Sequence, residues 1–259
     1  HAAIDLGINF VDTANVYEGY RRFLGSPGGV AEEIVGNALQ DRRDKVVLAT
    51  KVCAPVGPGP QDRGLSASHI LREVDRSLQR LKTDHIDIIQ LHSPAYDDVA
   101  FGDGLEGLLK AQTQGKVRFI SLSADGDAAQ KAIEIGQYDT LQLTYNVLEQ
   151  EPAALVGAAR DKDMGIIVKN PIANALYEKP RTDGGDAELW DHAQTVLGPE
   201  CIGDLSRVEA TLRWLLSDSK VHTAIVGTTN VDHLEANVAF AERGGLDEEV
   251  LAEMRRRFE

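Results

Sequence analysis

The stretch Gly7-Ile8-Asn9-Phe10-Val11-Asp12-Thr13-Ala14-Asn15-Val16-Tyr17 decides the reading of this chain. Residues 8–11 are a short, mostly apolar run that delivers an acid, Asp12, at its end. Tyr17 follows five residues later, in what reads as a loop. Two later apolar runs close on ionisable residues in the same way: Val46-Val47-Leu48-Ala49-Thr50 on Lys51, and Ile86-Asp87-Ile88-Ile89-Gln90-Leu91 on His92. Near-continuous apolar runs of this length fit parallel strands buried on both faces. As neighbours in one parallel sheet, the three runs bring Asp12, Tyr17, Lys51 and His92 to one rim.

Helical patterns fill the gaps. Residues 1–6 read as the end of a helix stopped by Gly7. Residues 30–40 carry Ile34, Val35, Ala38 and Leu39 at helical spacing. Ser66 is a good N-cap for a helix whose buried face would be Ile70, Val74, Leu78 and Leu81. Further strands are expected at 117–122, 140–143, 165–168 and 222–226, and helices at 104–114, 128–135, 153–161, 207–217, 232–240 and 247–256. The segment 171–205 is irregular, with some helix near 189–197.

Repeated βα units imply an α/β protein with a parallel sheet. A chain of 259 residues suits one (β/α) barrel, a single domain over 1–259. Seven such units after a helix fragment suggest a (β/α)8 TIM barrel lacking its N-terminal strand and most of its first helix in this sequence, with residues expected upstream. An open doubly wound sheet is the competing architecture, but no Gly-rich dinucleotide fingerprint follows any strand.

A net charge of −14 argues against a nucleic-acid or anionic-membrane surface, since both need concentrated Lys and Arg. No apolar run approaches membrane-spanning length. Cys53 and Cys201 show no metal or redox spacing, which fits two free thiols in a reducing cytoplasm. The partner expected is a small molecule, with neither nucleic acid nor membrane. The oligomeric state is not legible.

At the C-terminal rim of a (β/α) barrel, strand-end residues form the active site. A charge there is not buried unpaired without a large cost, so Asp12 and Lys51, from consecutive strands, should form a salt bridge. A phenol with pKa ~10 is a poor acid at neutral pH, but a nearby ammonium stabilises phenolate. A neutral His92 would orient a substrate oxygen. This set suits proton donation to a carbonyl that receives hydride from a cofactor. It offers no nucleophile beside a base, and with one histidine no zinc ligand set. Each residue alone has a plainer reading as a turn cap, a salt-bridge partner or a loop hydrogen bond.

The sequence resembles the aldo-keto reductases in residues 7–17, in Ala49-Thr50-Lys51, in Ile86-Asp87-Ile88-Ile89-Gln90-Leu91-His92-Ser93-Pro94, in residues 115–123 and in residues 225–237. The resemblance covers essentially the whole chain. It implies a (β/α)8 barrel that binds an extended NADPH, and a catalytic tetrad falling on Asp12, Tyr17, Lys51 and His92, with the tyrosine as general acid. It further implies that Ser123 and Gln142 hold the nicotinamide carboxamide, although Ala124 stands where the family usually has Asn. Lys169 and Asn170 take the place of the residue stacked on the nicotinamide ring and its neighbour. The family often has an aromatic there, so Lys169 is expected to point toward phosphate.

Gly227, Thr228, Thr229 and Asn230 match the adenosine-phosphate loop, and His233 and Asn237 match positions facing the adenosine. Backbone N–H groups at a helix start suit an anion; without the resemblance, Thr228 and Asn230 read as ordinary caps. Many relatives carry Lys or Arg at the positions of Gly227 and His233 to hold the 2′-phosphate, and this sequence has neither; NADP(H) is the first expectation by family habit and NAD(H) a second. The activity implied is NAD(P)H-dependent reduction of an aldehyde or ketone, with a redox-sensing or regulatory NADPH-binding subunit as the alternative. Tyr20, Phe23, Tyr96, Tyr177 and Trp190 are candidate pocket-lining aromatics.

Overall fold

A computed structural model describes residues 1–17, 28–54 and 64–258. Tyr20 and Phe23 lie outside the described residues. The strands are β1 (Phe10–Asp12), β2 (Val47–Val52), β3 (Ile86–His92), β4 (Val117–Ser123), β5 (Thr140–Thr144), β6 (Gly165–Lys169) and β7 (Thr223–Ala224). Strands β1 to β5 lie side by side in chain order, and β6 lies beside β7. The principal helices are α1 (Ala2–Asp5), α2 (Val30–Leu39), α3 (Ala67–Leu81), α4 (Tyr96–Phe101), α5 (Gly104–Thr113), α6 (Gly126–Ile135), α7 (Ala153–Asp161), α8 (Ala187–Val196), α9 (Pro199–Ile202), α10 (Arg207–Leu216), α11 (Val231–Glu242) and α12 (Glu248–Phe258). No helix among the described residues is long and apolar enough to cross a membrane.

The chain forms two compact units: His1–Leu143 with Ala158–Gly165, and Thr144–Gly157 with Ile166–Glu259. In the first, β1 pairs with β2, β2 with β3, β3 with β4 and β4 with β5, all parallel. Its core is aliphatic: Leu48, Ile70, Val74, Ile86, Ile89, Leu91, Ile120, Leu122 and Leu141 are all essentially inaccessible. In the second, β6 and β7 pair in parallel, matching Ile167 to Thr223 and Val168 to Ala224. Tyr145, packed edge-on against Trp214 at 5.2 Å, belongs to that unit's core.

Most element boundaries lie within two residues of the sequence expectation. Gly7 ends α1 with φ +89°, a conformation that costs glycine nothing. Ser66 caps α3, its Oγ accepting from His69 N. The short helix α4 and the 3-10 segment Ala173–Glu178 were not expected. The strand ends shift in a way that matters: β2 runs to Val52 and β3 to His92, so Lys51 and His92 lie within their strands.

Helix α2 buries a different face from the one its apolar residues predict, and α3 buries polar residues beside the predicted one. In α2, Ile34 is 59% exposed, while Glu32, Gly36 and Leu39 are buried. Glu32 accepts from Thr50 Oγ1 (2.6 Å) and from Arg80 Nε (2.6 Å), so its charge goes inside already paired. Gly36 sits where an added Cβ would lie 2.5 Å from the Arg80 carbonyl oxygen, so α2 and α3 approach at backbone distance. In α3, Glu73 and Ser77 are buried beside Ile70, Val74 and Leu81, and Leu78 is only half-buried. Glu73 is compensated by Asn15 Nδ2 (3.2 Å) and Arg76 Nη1 (2.7 Å).

At the start of β3, Asp87 is buried. It accepts from Leu48 N (2.9 Å), Arg43 Nη2 (2.7 Å) and Arg118 Nη1 (2.8 Å). Burial alone would push its carboxyl up, but these donors together outweigh it and hold the group below the usual carboxylate range. A depressed folded pKa contributes stability that is present above the unfolded value, about 3.9, and is lost as pH falls through the folded value. Asp87→Asn is therefore expected to be less stable than wild type at pH 7. The gap should close as pH falls below about 4, which urea unfolding midpoints between neutral and acid pH will show.

Candidate active site

Side chains alternate across a strand, so register decides which residues meet. Lys51 stands opposite Gln90, and Gln90 opposite Ser121. One step toward the strand ends, His92 stands opposite Ser123, and Ser123 opposite Gln142. Two polar rows thus lie on one face of the sheet. The intervening residues point the opposite way: Thr50, next to Lys51, reaches Glu32 of α2.

Asp12 and Lys51 form the expected ion pair through Oδ2 and Nζ. Both are withdrawn from water: the Lys51 side chain is 1% and the Asp12 side chain 6% exposed. Lys51 Nζ also donates to the Thr13 carbonyl (3.0 Å). The second carboxylate oxygen, Oδ1, accepts from Gln90 Nε2 (2.9 Å) and from Gln142 Nε2 (3.0 Å). Tyr17 lies over the pair, with Lys51 Nζ 4.8 Å from its ring centroid, within cation–π range. The rings of Tyr17 and His92 meet edge to face at 5.6 Å and 84°. Tyr17 is 40% exposed, so the phenol faces open space while the charges beneath it do not.

The backbone beneath Tyr17 is tied down from two sides. Thr13 N donates to Ala49 O (2.9 Å) and Asn15 N to Lys51 O (3.3 Å), which extend the β1–β2 ladder into the loop. The Asn15 side chain then anchors the loop to Glu73 of α3. Ala31 N donates to Tyr17 O (3.3 Å), joining the tyrosine to the first turn of α2. Cys53 (φ +86°) and Ser93 (φ +51°), just beyond β2 and β3, adopt left-handed conformations that cost a non-glycine residue roughly 1–3 kcal/mol. Backbone contacts hold both turns: Ser93 N donates to Ser123 O (2.8 Å), and Cys53 Sγ lies 3.3 Å from His92 O.

Ser123 and Gln142 are buried in the same unit, with Ser123 Oγ donating to Gln142 Oε1 (2.9 Å). A hydroxyl and an amide side by side supply both donor and acceptor, the set a carboxamide requires. The other expected cofactor residues belong to the second unit. Lys169 ends β6, and Asn170 follows with φ +55°. Asn170 is held by the turn after β5: its carbonyl accepts from Asn146 Nδ2 (3.1 Å) and its Nδ2 donates to Glu149 Oε2 (3.4 Å).

Gly227, Thr228, Thr229 and Asn230 are exposed ahead of α11. Asn230 caps that helix through Oδ1 to Asp232 N (2.9 Å), and Thr228 Oγ1 accepts from Asn230 N (3.1 Å). On α11, His233 is exposed and Asn237 half-buried. Of the remaining candidate aromatics, Tyr177 is a core residue of the second unit, where burial pushes its phenol up to about 12. Trp190 donates its indole N–H to Lys179 O (2.9 Å), and Tyr96 is exposed.

Sequence reasoning did not single out Gln90 or Asn15. The available signals were a lone amide inside an apolar run, two residues before His92, and a second amide between Asp12 and Tyr17.

The sequence model of the Aldo/keto reductase family matches residues 1–257. The oxidoreductase YrpG of Bacillus subtilis (strain 168) is 32% identical over 278 residues, 96% of this chain and 82% of that protein. The L-glyceraldehyde 3-phosphate reductase of Escherichia coli (strain K12) is 26% identical over 269 residues, 91% of this chain and 75% of that protein. Among solved structures, the holo form of the aldo-keto reductase AKR11C1 from Bacillus halodurans matches with a TM-score of 0.84 at 25% identity, over 99% of this chain and 84% of its own. The chain belongs to the aldo/keto reductase family, as an NAD(P)H-dependent oxidoreductase with that family's (β/α)8-barrel fold.

Proposed function

We propose that this enzyme, a single barrel domain of the cytoplasm, reduces an aldehyde or ketone to an alcohol, with Tyr17 as the proton donor. The observation that carries the reading is the stacking of a half-exposed phenol over a buried ammonium, beside an imidazole, at the ends of β2 and β3. When bound, NAD(P)H supplies the hydride that goes to the carbonyl carbon. His92 orients the carbonyl oxygen toward Tyr17, which passes its phenolic proton to that oxygen as negative charge develops there. The phenolate left behind is stabilised by the Lys51 ammonium and takes a proton back from solvent. Asp12 transfers no proton; it holds Lys51 in place and charged.

Ser123 and Gln142 would hold the carboxamide of the cofactor, and Lys169 and Asn170 would lie toward its nicotinamide end. Gly227, Thr228, Thr229 and Asn230, ahead of α11, would receive its phosphates on backbone N–H groups, with His233 and Asn237 toward the adenosine. NADP(H) is the first choice. A second reading, NAD(H), is favoured by one observation: positions 227–237 hold no Lys or Arg, and the first turn of α11 carries Asp232. An acid there opposes a 2′-phosphate.

Two measurements check these roles. Tyr17→Phe removes the transferable proton and keeps the ring. It is expected to lower turnover of a carbonyl panel by at least ~10²-fold, the range of a lost general acid, with the dissociation constant for NADPH little changed. Wild-type turnover in Tyr17→Phe would overturn the assignment. Fluorescence titration of the purified protein with NADPH and NADH decides the cofactor. NADP use requires the tighter constant for NADPH, and equal or tighter NADH binding would establish the second reading.

A further inference from the structure

We infer that Gln90 is a positioning residue of this active site, fixing the Asp12 carboxylate from the strand side independently of the cofactor. The inference rests on the proposed roles of Tyr17 and Lys51.

The two carboxylate oxygens of Asp12 are served differently. Oδ2 takes the Lys51 ammonium, while Oδ1 takes two side-chain amides, Gln90 Nε2 at 2.9 Å and Gln142 Nε2 at 3.0 Å. Each amide lies against a serine of β4: Ser123 Oγ donates to Gln142 Oε1 at 2.9 Å, while Ser121 Oγ is shared between the Thr140 carbonyl at 3.1 Å and Gln90 Oε1 at 3.4 Å. Asp12 sets the amide orientations, because an ionised carboxylate only accepts and so takes the Nε2 end of each glutamine. Gln90, Gln142, Ser121 and Ser123 are all almost wholly buried, so no water substitutes for a lost donor at low cost.

The two branches differ in position. Ser123 and Gln142 stand one register step nearer the strand ends, opposite His92, where the carboxamide of a bound cofactor is proposed to lie. Ser121 and Gln90 stand one step deeper, level with Lys51. The Gln142 branch therefore serves both the proposed cofactor subsite and Asp12, whereas the Gln90 branch reaches Asp12 and, through Ser121, the Thr140 backbone carbonyl. Without Gln90, Oδ1 keeps the Gln142 amide and Oδ2 the Lys51 ammonium, but the carboxylate loses its donor from β3 and is held less firmly about χ2. Lys51 then moves with it, away from its place 4.8 Å below the tyrosine ring. The substrate and cofactor subsites stay as they were.

The test compares wild type with Gln90→Met, Gln90→Glu, Gln142→Met and Tyr17→Phe, reading kcat, KM for the carbonyl and the NADPH dissociation constant by fluorescence. Gln90→Met keeps the volume and removes the donor. It is expected to lower kcat about tenfold, the scale of a small misplacement of a reacting group, with KM and NADPH affinity within about twofold of wild type. Gln142→Met is expected to lower kcat and to weaken NADPH binding together.

Gln90→Glu is isosteric, so it reports even if Gln90→Met folds poorly. It sets a second carboxylate against Asp12 and is expected to be the poorest variant at neutral pH. Its activity relative to wild type should rise as pH falls toward about 5, where a protonated carboxyl donates again. A merely structural role predicts no such recovery. If Gln90→Met keeps wild-type kcat while Tyr17→Phe is inactive, Gln90 is not a positioning residue and the reading of Tyr17 stands. If the loss in Gln90→Met is matched by weaker NADPH binding, its independence from the cofactor is refuted. If Tyr17→Phe turns over like wild type, both readings fall.

Discussion

The ion pair between Asp12 and Lys51 is the constraint around which the first unit is arranged. Taking two such charges out of water costs several kcal/mol per ion, and their attraction offsets this only with good geometry and with the remaining donors and acceptors satisfied. The surroundings meet both conditions. The ammonium has the Thr13 carbonyl in addition to Asp12, and the carboxylate has two glutamine amides in addition to Lys51. No second charge needs to be neutral for the pair to persist. Where the sheet departs from aliphatic residues on this face, it uses amides and hydroxyls, which donate to an anion without adding net charge.

Strand alternation lets the same few residues serve two layers. Lys51 turns toward Asp12, and its neighbour Thr50 turns toward the helices, donating to Glu32. Glu32 in turn holds Arg80 of α3. Gln90 turns toward Asp12, while Asp87, an odd number of residues earlier, sits on the other face among Arg43, Arg118 and the Leu48 N–H. The helix layer thus grips the strands beside the functional residues, and Asn15, bonded to Glu73, extends that grip to the loop carrying Tyr17. A change in α2 or α3 that displaced Glu32 or Glu73 would be felt at Tyr17 through these bonds, with no helix residue approaching substrate.

Much of this could be read from the chain itself, and what was missed has a common cause. Asp12, Lys51 and His92 were legible because a charge at the end of an apolar run is conspicuous, and Tyr17 because it follows Asp12 closely. The buried face of α2 was misjudged because apolar periodicity places Ile34 inside and Glu32 outside. The partners that reverse this, Thr50 and Arg80, lie 18 and 48 residues away. Gln90 went unremarked because one amide in a buried run carries no meaning until register sets it level with Lys51 and across from Ser121. Propensity and periodicity are local, whereas compensation of a buried polar group is a pairing between distant residues.

The contrast in exposure between Tyr17 and the charges beneath it bears on how the site works. A nearly neutral ion pair acts on its surroundings as a dipole, so its effect on the phenol depends on which end is nearer and on how firmly the other end is held. Here the ammonium is the end under the ring, and the carboxylate is drawn to the far side by amides from β3 and β5. Water at the ammonium would screen it, and at 1% exposure the Lys51 side chain is withdrawn from water. The Tyr17 side chain, by contrast, is 40% exposed. Burial of the charge and exposure of the phenol are separable because they come from different elements: one from the body of β2, the other from a loop that a buried asparagine pins to α3.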